Sequence, residues 1–186
     1  MNFALGIPGT VGGAIRMNAG TASGAMGDVL ESLTILSQNG EKKIIRHDQL
    51  DISYRNLAYP EGGEFGKEIV ILEGCFKLQP SDSKILKEQA SEIIKLRHSR
   101  QPTRLPSAGC FFKNPCFEKS AGQLIDMAGF KGQSIGGAQV SEKHANFIIN
   151  RGKASASDIL ALANMIQEKV HRIFDVMLEP EVKIVG

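Results

Sequence analysis

The chain has 186 residues, of which 42% are hydrophobic and 23% are charged, and this composition predicts a globular protein with one medium domain or two small ones. Its formal net charge is only +2, with 22 basic residues among 20 acidic ones, so nucleic acid is not an expected partner. The sequence has neither an apolar run of membrane-spanning length nor a signal-peptide pattern at its start, so we expect a cytoplasmic protein without a membrane partner.

The first part of the chain predicts a glycine-rich loop followed by strands. Residues 6–27 are rich in glycine, which predicts loop and close-packed turns. Alternating apolar residues over 29–36, the turn signal Asn39-Gly40 and the run 43–45 predict a β-hairpin. The apolar run over 68–76 predicts a buried strand.

Tyr54 and Arg55 lie near the end of a short predicted element, where loop residues on a rigid frame favour chemistry. From the residue type alone, Arg55 is either a bidentate partner for an anion or one half of a surface salt bridge. Further along, Ser81 or Ser83 is expected to cap a helix that Pro102 stops. That helix is expected to link two domains.

The second half of the chain alternates helices and strands. Ser155, followed by Asp158 three residues later, is the pattern of a capping box and predicts the start of a helix with one apolar face. The predicted elements are, in order, a helix over 119–128, extended segments over 136–140 and 145–150, the capped helix, and a final strand over 181–185. The predicted class is α+β with two unequal lobes.

The cysteines and histidines do not form a metal or disulfide pattern. The three cysteines fit neither a disulfide framework nor a paired zinc motif, so they are expected to be reduced thiols. Cys75, inside the apolar run, is expected to be a buried core residue, and Cys116 is also expected to be structural. The four histidines are far apart in sequence, and no bound metal is predicted.

The motif GIPGTVGGA over 6–14 is the first candidate site. Closely spaced glycines let backbone N–H groups approach an anion, as in phosphate-binding loops. The spacing is neither that of a dinucleotide fingerprint nor that of a P-loop. By itself, the motif predicts a structural turn at least as well as an anion site.

The motif PSAGCFFKNP over 106–115 is the second candidate site. Cys110 follows a glycine and precedes two aromatic residues, a cation and an amide, an arrangement typical of a polar pocket in an apolar wall. A thiol there can donate its proton or attack as a thiolate. The alternative is that Cys110 is a small buried core residue.

The segment 178–183, LEPEVK, is the third candidate site because it carries two carboxylates, Glu179 and Glu181. A carboxyl group in a partly apolar pocket can act as an acid or stabilise charge. A solvated turn is the alternative. The intervening Pro180 directs the two side chains differently, so at most one is expected in a site.

Taken in order, these segments closely resemble the UDP-N-acetylenolpyruvoylglucosamine reductase family over essentially the whole chain. The matching strings are GIPGTVGGA with MNAG, SYR, SAGCFFKNP, AGQLIDMAGFKG, IGGAQVSEKHANFIIN and LEPEVKIVG. The resemblance implies FAD and NADPH as cofactors and UDP-N-acetylglucosamine enolpyruvate as substrate, which is reduced to UDP-N-acetylmuramate. NADPH would reduce the flavin, which would then pass hydride to C3 of the enolpyruvyl group.

The resemblance also assigns roles to the residues that would meet the substrate. Arg55 and Glu181 would lie at the developing enolate, with Tyr54 as a neighbour of the substrate. Cys110 stands where the family usually carries the serine that protonates C2. A thiol is a stronger acid than an alcohol, so the donor role remains chemically reasonable.

Further contacts are implied by the same resemblance. Asn114, Lys113 and His144 match positions at or near the substrate, and Asn114 is preferred to Lys113. The FAD contacts would come from one loop and one asparagine, namely Gly6, Ile7, Pro8, Gly9, Thr10, Val11, Gly12, Gly13 and Asn18.

The implied fold is the C-terminal lobe of a PCMH-type FAD-binding domain over 1–79, a linking helix and loop over 80–104, and a small α+β substrate-binding domain over 105–186. An earlier flavin-binding lobe of the family is absent, so we expect this chain alone to be inactive and to bind FAD weakly or not at all. A monomer is favoured. Two alternatives remain: a truncated, non-catalytic UDP-sugar-binding lobe, or another flavin oxidoreductase of the same cofactor-binding superfamily.

Overall fold

The structure is a computed structural model that describes residues 1–60, 65, 69–116 and 118–185. The chain divides into two compact units, Met1–Lys95 and Leu96–Gly186. Both units combine helices with antiparallel sheets, which confirms the predicted α+β class. The division lies inside the segment 80–104 that the sequence predicts to be a link, and the assignment of domain functions stays a prediction.

The first unit is built on short strands and one short helix. Its regular elements are α1 Val11–Arg16, β1 Gly20–Thr21, β2 Gly24–Ala25, β3 Leu30–Leu36, β4 Lys42–Arg46, β5 Asp51–Ser53, β6 Asn56–Ala58 and β7 Val70–Phe76. Helix α2, Ser83–Arg100, begins in this unit and ends in the second. The pairs β1–β2 and β5–β6 are separate hairpins.

The central sheet of the first unit has the order β4-β3-β7, with all pairs antiparallel. Strands β3 and β4 form the predicted hairpin, and Gly40 has the positive φ of 77° that its turn requires. Leu33 and Ile35 of β3 are almost fully buried. These two side chains therefore anchor the sheet to the core, and the prediction of a hairpin is confirmed.

Strand β7 forms where the sequence predicts it, but it is not buried. It lies at the edge of the sheet, and Val70 and Leu72 are 56% and 42% exposed. Cys75 is also exposed, with its Sγ 3.6 Å from a carboxylate oxygen of Glu31. The predictions of a buried strand and of Cys75 in the core are therefore wrong, and Glu68 lies outside the described residues.

The glycine-rich segment is more regular than predicted, because it contains α1 and the β1–β2 hairpin. Thr10 caps α1, since its Oγ1 accepts a hydrogen bond from the Gly13 N–H at 3.1 Å. Ile15, on the buried side of α1, is 1% exposed. The burial of this one side chain holds a short helix that its glycines would otherwise disfavour.

Helix α2 covers the predicted range, but its cap differs from the prediction. Asp82 Oδ1 accepts hydrogen bonds from the N–H groups of Lys84 and Ile85 at 2.8 and 3.1 Å. A carboxylate therefore fills the capping position, and neither Ser81 nor Ser83 does so. No residue of α2 is buried. Over the described part of the chain, no helix is long and apolar enough to cross a membrane.

The second unit packs two helices on an antiparallel sheet. Its elements are β8 Ser107–Cys110, α3 Ala121–Met127, β9 Ser134–Ile135, β10 Ala138–Val140, β11 Phe147–Asn150 and α4 Ala156–Phe174. The strand order is β8-β11-β10-β9, and α4 packs against β9 and β10. The core combines residues of β10, β11 and both helices with Phe111, Phe112 and Leu178.

Both helices of this unit begin with capping boxes. Ser120 and Gln123 cap α3, and Ser155 and Asp158 cap α4, as predicted. Asp158 also accepts a hydrogen bond from the Gly137 N–H, and these hydrogen bonds, those from Ser155 first, lower the pKa of its carboxyl group. The capped start of α4 is therefore joined to the turn before β10.

The predicted strand over 181–185 does not form. The only pairing described at this end of the chain is an isolated antiparallel bridge between Phe112 and Pro180. Ile184 and Val185 are 64% and 90% exposed. An alternating apolar pattern becomes a strand only where a partner edge is available, and among the described residues the pairing ends at this bridge.

Candidate functional site

Cys110 is the last residue of β8, where it pairs with Phe147 of β11. Its thiol is half-buried. The preceding Gly109 has a φ of +84°, and a Cβ there would meet no atom within 4 Å. The positive φ therefore favours glycine at this position.

Glu181 lies on the backbone segment beside the end of β8. Its N–H donates to the carbonyl oxygen of Phe111 at 2.8 Å, and the Lys113 N–H donates to the carbonyl of Glu179 at 2.8 Å. Cys110 immediately precedes Phe111. The structure therefore brings together two site residues that are far apart in sequence, although the strand predicted after Glu181 is absent.

The two carboxylates of this segment have different surroundings. Glu179 is 70% exposed and forms an ion pair with Lys113, with 2.5 Å between Oε1 and Nζ, whereas Glu181 is half-buried. The expectation that at most one of them faces a site stays a prediction. An ion pair this exposed adds little stability. The substrate contact expected for Lys113 stays a prediction.

Asn114 connects the candidate site to helix α3. Its Oδ1 accepts a hydrogen bond from the N–H of Ala121, the first residue of α3, at 3.1 Å. The residue is exposed. This contact orients the exposed side chain, and its predicted contact with substrate is not tested by it.

Asn146 is a site residue that the sequence did not indicate. It is 3% exposed, and its side chain accepts from the Phe112 N–H at 2.9 Å and donates to the Phe112 carbonyl at 2.8 Å. The Asn146 carbonyl accepts from the Phe111 N–H at 2.7 Å. The available signal was an amide within an otherwise apolar run, since a buried amide must be hydrogen-bonded.

His144 is half-buried next to this network. Its Nδ1 accepts a hydrogen bond from the Asn146 N–H at 3.3 Å, and its ring meets that of Phe147 edge-on with 4.9 Å between centroids. Burial lowers the pKa of His144, and the positive charge of Lys131 acts in the same direction. The imidazole is therefore held in its neutral form near neutral pH.

In the first unit, Tyr54 and Arg55 form the two-residue turn between β5 and β6. Arg55 has a φ of +55° and donates a hydrogen bond to the Gly20 carbonyl at 3.1 Å. Its guanidinium carbon lies 4.8 Å from the centroid of the Tyr54 ring, and Tyr54 is 52% exposed. The turn therefore presents a cation and a phenol side by side.

Asn18 holds the start of this turn. It is 7% exposed, its Oδ1 accepts from the Gly27 N–H at 2.8 Å, and its Nδ2 donates to the Ser53 carbonyl at 2.8 Å. The side chain thus has a structural role that the sequence did not suggest. Its contact with FAD stays a prediction.

The loop before α1 has the features that a group bound through the backbone requires. Gly6 and Gly9 have φ values of +74° and +135°. A Cβ at Gly9 or Gly12 would meet no atom within 4 Å. A flat or anionic group can therefore approach the peptide groups of this loop, and its residues fit the proposed flavin contact.

The first unit also contains a cavity of about 390 Å³ that the sequence did not suggest. Arg16 lines it, together with residues 56–60 and Phe65. The guanidinium of Arg16 donates to the carbonyls of Phe65 and Leu57 at 3.1 and 3.3 Å. Arg16 therefore supports the wall of this cavity through backbone groups.

Among the described residues, no group of three or more His, Cys, Asp or Glu side chains is arranged to hold a metal ion. The cysteines in this part of the chain are free thiols. Cys116 is exposed, and its predicted structural role stays a prediction.

Comparison with known proteins identifies relatives over the whole chain. Residues 101–185 match the family described as UDP-N-acetylenolpyruvoylglucosamine reductase, C-terminal domain. Proteins named UDP-N-acetylenolpyruvoylglucosamine reductase from Agathobacter rectalis and Desulfosudis oleivorans are 45% and 48% identical to this chain over its full length. The chain covers 57% and 60% of these two relatives, so it spans about three fifths of their length.

A solved structure agrees with these matches. The crystal structure of UDP-N-acetylenolpyruvylglucosamine reductase from Thermus caldophilus superimposes on the chain with a TM-score of 0.83 at 35% sequence identity. The match covers 100% of this chain and 64% of that one. The chain is therefore similar in fold and in sequence to about two thirds of that protein.

Proposed function

We propose that the chain takes part in the NADPH-driven, FAD-dependent reduction of UDP-N-acetylglucosamine enolpyruvate to UDP-N-acetylmuramate, because it is similar over its whole length to proteins named UDP-N-acetylenolpyruvoylglucosamine reductase. The observation that carries the proposal is the hydrogen bond from the Glu181 N–H to the Phe111 carbonyl. It holds one proposed reacting side chain next to the strand end that carries the other, Cys110. The reaction is proposed to occur in the cytosol, in a monomer without a metal ion.

The proposed reaction adds a hydride and a proton across the enolpyruvyl double bond. FAD, when bound, supplies to C3 a hydride that originates in NADPH. The electron pair of the double bond then moves towards C2 and the substrate carboxylate. Cys110 transfers its Sγ proton to C2, and solvent returns a proton to the thiolate before the next turnover.

Charge develops on the substrate during hydride addition, and two side chains are proposed to stabilise it. Arg55 offers a permanent cation, and its contacts with the Gly20 carbonyl and the Tyr54 ring limit its movement. Glu181 is proposed to lie at the developing enolate as a second fixed polar group. Tyr54 is proposed to contact the substrate beside Arg55.

The remaining contacts follow the family resemblance. The loop 6–13 and Asn18 are proposed to contact FAD, and the open space beside the Cα atoms of Gly9 and Gly12 supports a contact through the backbone. Lys113, Asn114 and His144 are proposed to bind the substrate. The neutral state of His144 favours a hydrogen bond over an ionic contact with a phosphate.

The test compares Cys110→Ala with Cys110→Ser in a full-length protein, defined as this chain preceded by the other flavin-binding lobe of the family. The two half-reactions are measured separately by rapid mixing. Cys110→Ala is expected to slow reduction of the enolpyruvyl substrate by about 10²-fold or more, the usual contribution of a positioned acid. Reduction of the flavin by NADPH should change little, because no proton is delivered to C2 in that step. Cys110→Ser should keep part of the rate.

Cys116→Ala is the matched control, since it removes an exposed thiol six residues away in the chain. It should leave both half-reactions unchanged. Substrate reduction by Cys110→Ala at the parent rate would exclude the proton-donor role.

A further inference from the structure

We propose that Asn146 is a positioning residue, which fixes the end of β8 so that the Cys110 thiol and the Glu181 segment keep their alignment. This inference rests on the proposed function, because it assigns a residue to the orientation of the proposed proton donor. Asn146 itself is buried and touches the backbone of its neighbours through its side chain. Its effect on the reaction would therefore pass through these backbone contacts.

The amide of Asn146 holds both polar groups of one residue. Its Oδ1 accepts from the Phe112 N–H at 2.9 Å, while its Nδ2 donates to the Phe112 carbonyl at 2.8 Å. A side chain that engages both groups restrains the peptides on either side of Phe112 together. This restraint sets the direction of the chain where it leaves Cys110.

The backbone around Asn146 extends the restraint to Cys110 and Glu181. The Asn146 carbonyl accepts from the Phe111 N–H at 2.7 Å, and the Phe111 carbonyl accepts from the Glu181 N–H at 2.8 Å. The next residue after Asn146, Phe147, is the β-partner of Cys110. Phe111 therefore lies between two hydrogen-bonded neighbours, with Asn146 on one side and Glu181 on the other.

The amide group has no equivalent replacement at this position. Aspartate keeps an acceptor for the Phe112 N–H but sets a carboxylate oxygen against the Phe112 carbonyl. Alanine removes both hydrogen bonds and leaves buried backbone groups without partners. Because displacement of a reacting group by about 1 Å can slow catalysis about 10²-fold, a loosened β8 end should affect rate more than folding.

The test uses Asn146→Asp and Asn146→Ala in the full-length protein. Asn146→Asp is expected to slow reduction of the enolpyruvyl substrate about 10-fold or more, through kcat rather than KM. Flavin reduction by NADPH should stay within about twofold of the parent. The solvent deuterium isotope effect on substrate reduction should increase, because a misaligned thiol makes proton transfer more rate-limiting.

Ile166→Val is the matched control. It removes one methyl group from the same core, and Ile166 is fully buried in helix α4. If Asn146 had only a structural role, Asn146→Asp and Ile166→Val would change the two half-reactions and the isotope effect in the same way. Equal loss in both half-reactions of Asn146→Asp, or an unchanged isotope effect, would overturn the proposal.

Hydrogen–deuterium exchange provides a readout that does not need activity. Asn146→Ala is expected to speed exchange at the amides of Phe112 and Glu181 but not in the middle of α4, and unchanged exchange at Phe112 and Glu181 would also overturn the proposal. A parent protein without reductase activity would overturn the proposed function and the catalytic part of this inference. An active parent with unaffected variants would overturn only the role of Asn146.

Discussion

At the scale of single residues, buried asparagine side chains hold the backbone beside a proposed site residue in each unit. Asn18 joins the peptides at Gly27 and Ser53, next to the Tyr54–Arg55 turn, and Asn146 brackets Phe112. Each has a donor and an acceptor on one short, rigid group, so each can hold two backbone atoms at once. Both side chains therefore restrain loops that a hydrophobic core alone would leave mobile.

His144 should make the stability of the protein depend on pH. Its folded-state pKa lies below the ordinary value of 6.5, so the unfolded chain takes up a proton at a higher pH than the folded chain does. The contribution of His144 to the free energy of unfolding is fully present above pH 6.5. It is lost as the pH falls from there through the folded-state pKa. The free energy of unfolding from urea titration should therefore be lower at pH about 5.5 than at pH about 7.5.

His144→Gln should reduce the difference in the free energy of unfolding between these two pH values. His171→Gln is the control, because His171 is exposed and lies 3.8 Å from Asp175. If both variants kept the full pH dependence of the parent, another group would have to cause it.

At the scale of elements, the start of α4 is joined to the turn before β10. Asp158 accepts from the Ser155 N–H at 2.9 Å and from the Gly137 N–H at 3.4 Å. Gly136, in that turn, has a φ of +52°, and a Cβ there would lie 2.4 Å from Asp158 Oδ2. Only glycine lets the capping carboxylate occupy this place.

A comparison of Gly136→Ala with Gly129→Ala separates the cost of backbone strain from the cost of a Cβ that collides with Asp158. Both glycines have positive φ, but a Cβ at Gly129 would meet no atom within 4 Å. Gly129→Ala should cost only the strain, about 1 kcal/mol. Gly136→Ala should cost about 1 kcal/mol more, because Asp158 must leave its capping position.

The free energy of unfolding from urea titration measures both costs. Equal destabilisation by the two variants would show that the contact with Asp158 adds nothing.

At the scale of the whole molecule, each unit has a hydrophobic core of its own. The core of the first unit draws on residues between Phe3 and Phe76, and that of the second on residues between Phe111 and Val182. The family match over 101–185 covers the second core in full. The second unit therefore has the apolar interior that an independent domain requires.

A fragment of residues 96–186 is expected to fold by itself, with cooperative thermal unfolding and dispersed amide signals in its NMR spectrum. Leu162→Ala in this fragment should lower its stability by about 2–5 kcal/mol, because Leu162 is fully buried in α4. A fragment without cooperative unfolding would contradict the independence of this core.

Local patterns in the sequence were enough to predict the β3–β4 hairpin, α2, the capping box of α4 and the α+β class, because each depends on residues close together in the chain. The family resemblance added Arg55, Cys110 and Glu181 as candidate residues. Their roles stay proposals, although the structure shows Cys110 and Glu181 on hydrogen-bonded neighbouring segments.

Other features depended on distant partners and could not be read from the sequence. Whether β7 is central or at an edge depends on which strands join it, and the final segment stops after one bridge because no described strand continues beside it. The role of Asn146 required knowing that Phe112 lies opposite it. The sequence by itself determined the local elements and the family resemblance, because both depend on short runs of neighbouring residues. Only the tertiary structure decided exposure, pairing and the partners of buried polar groups, since these depend on contacts between residues far apart in the chain.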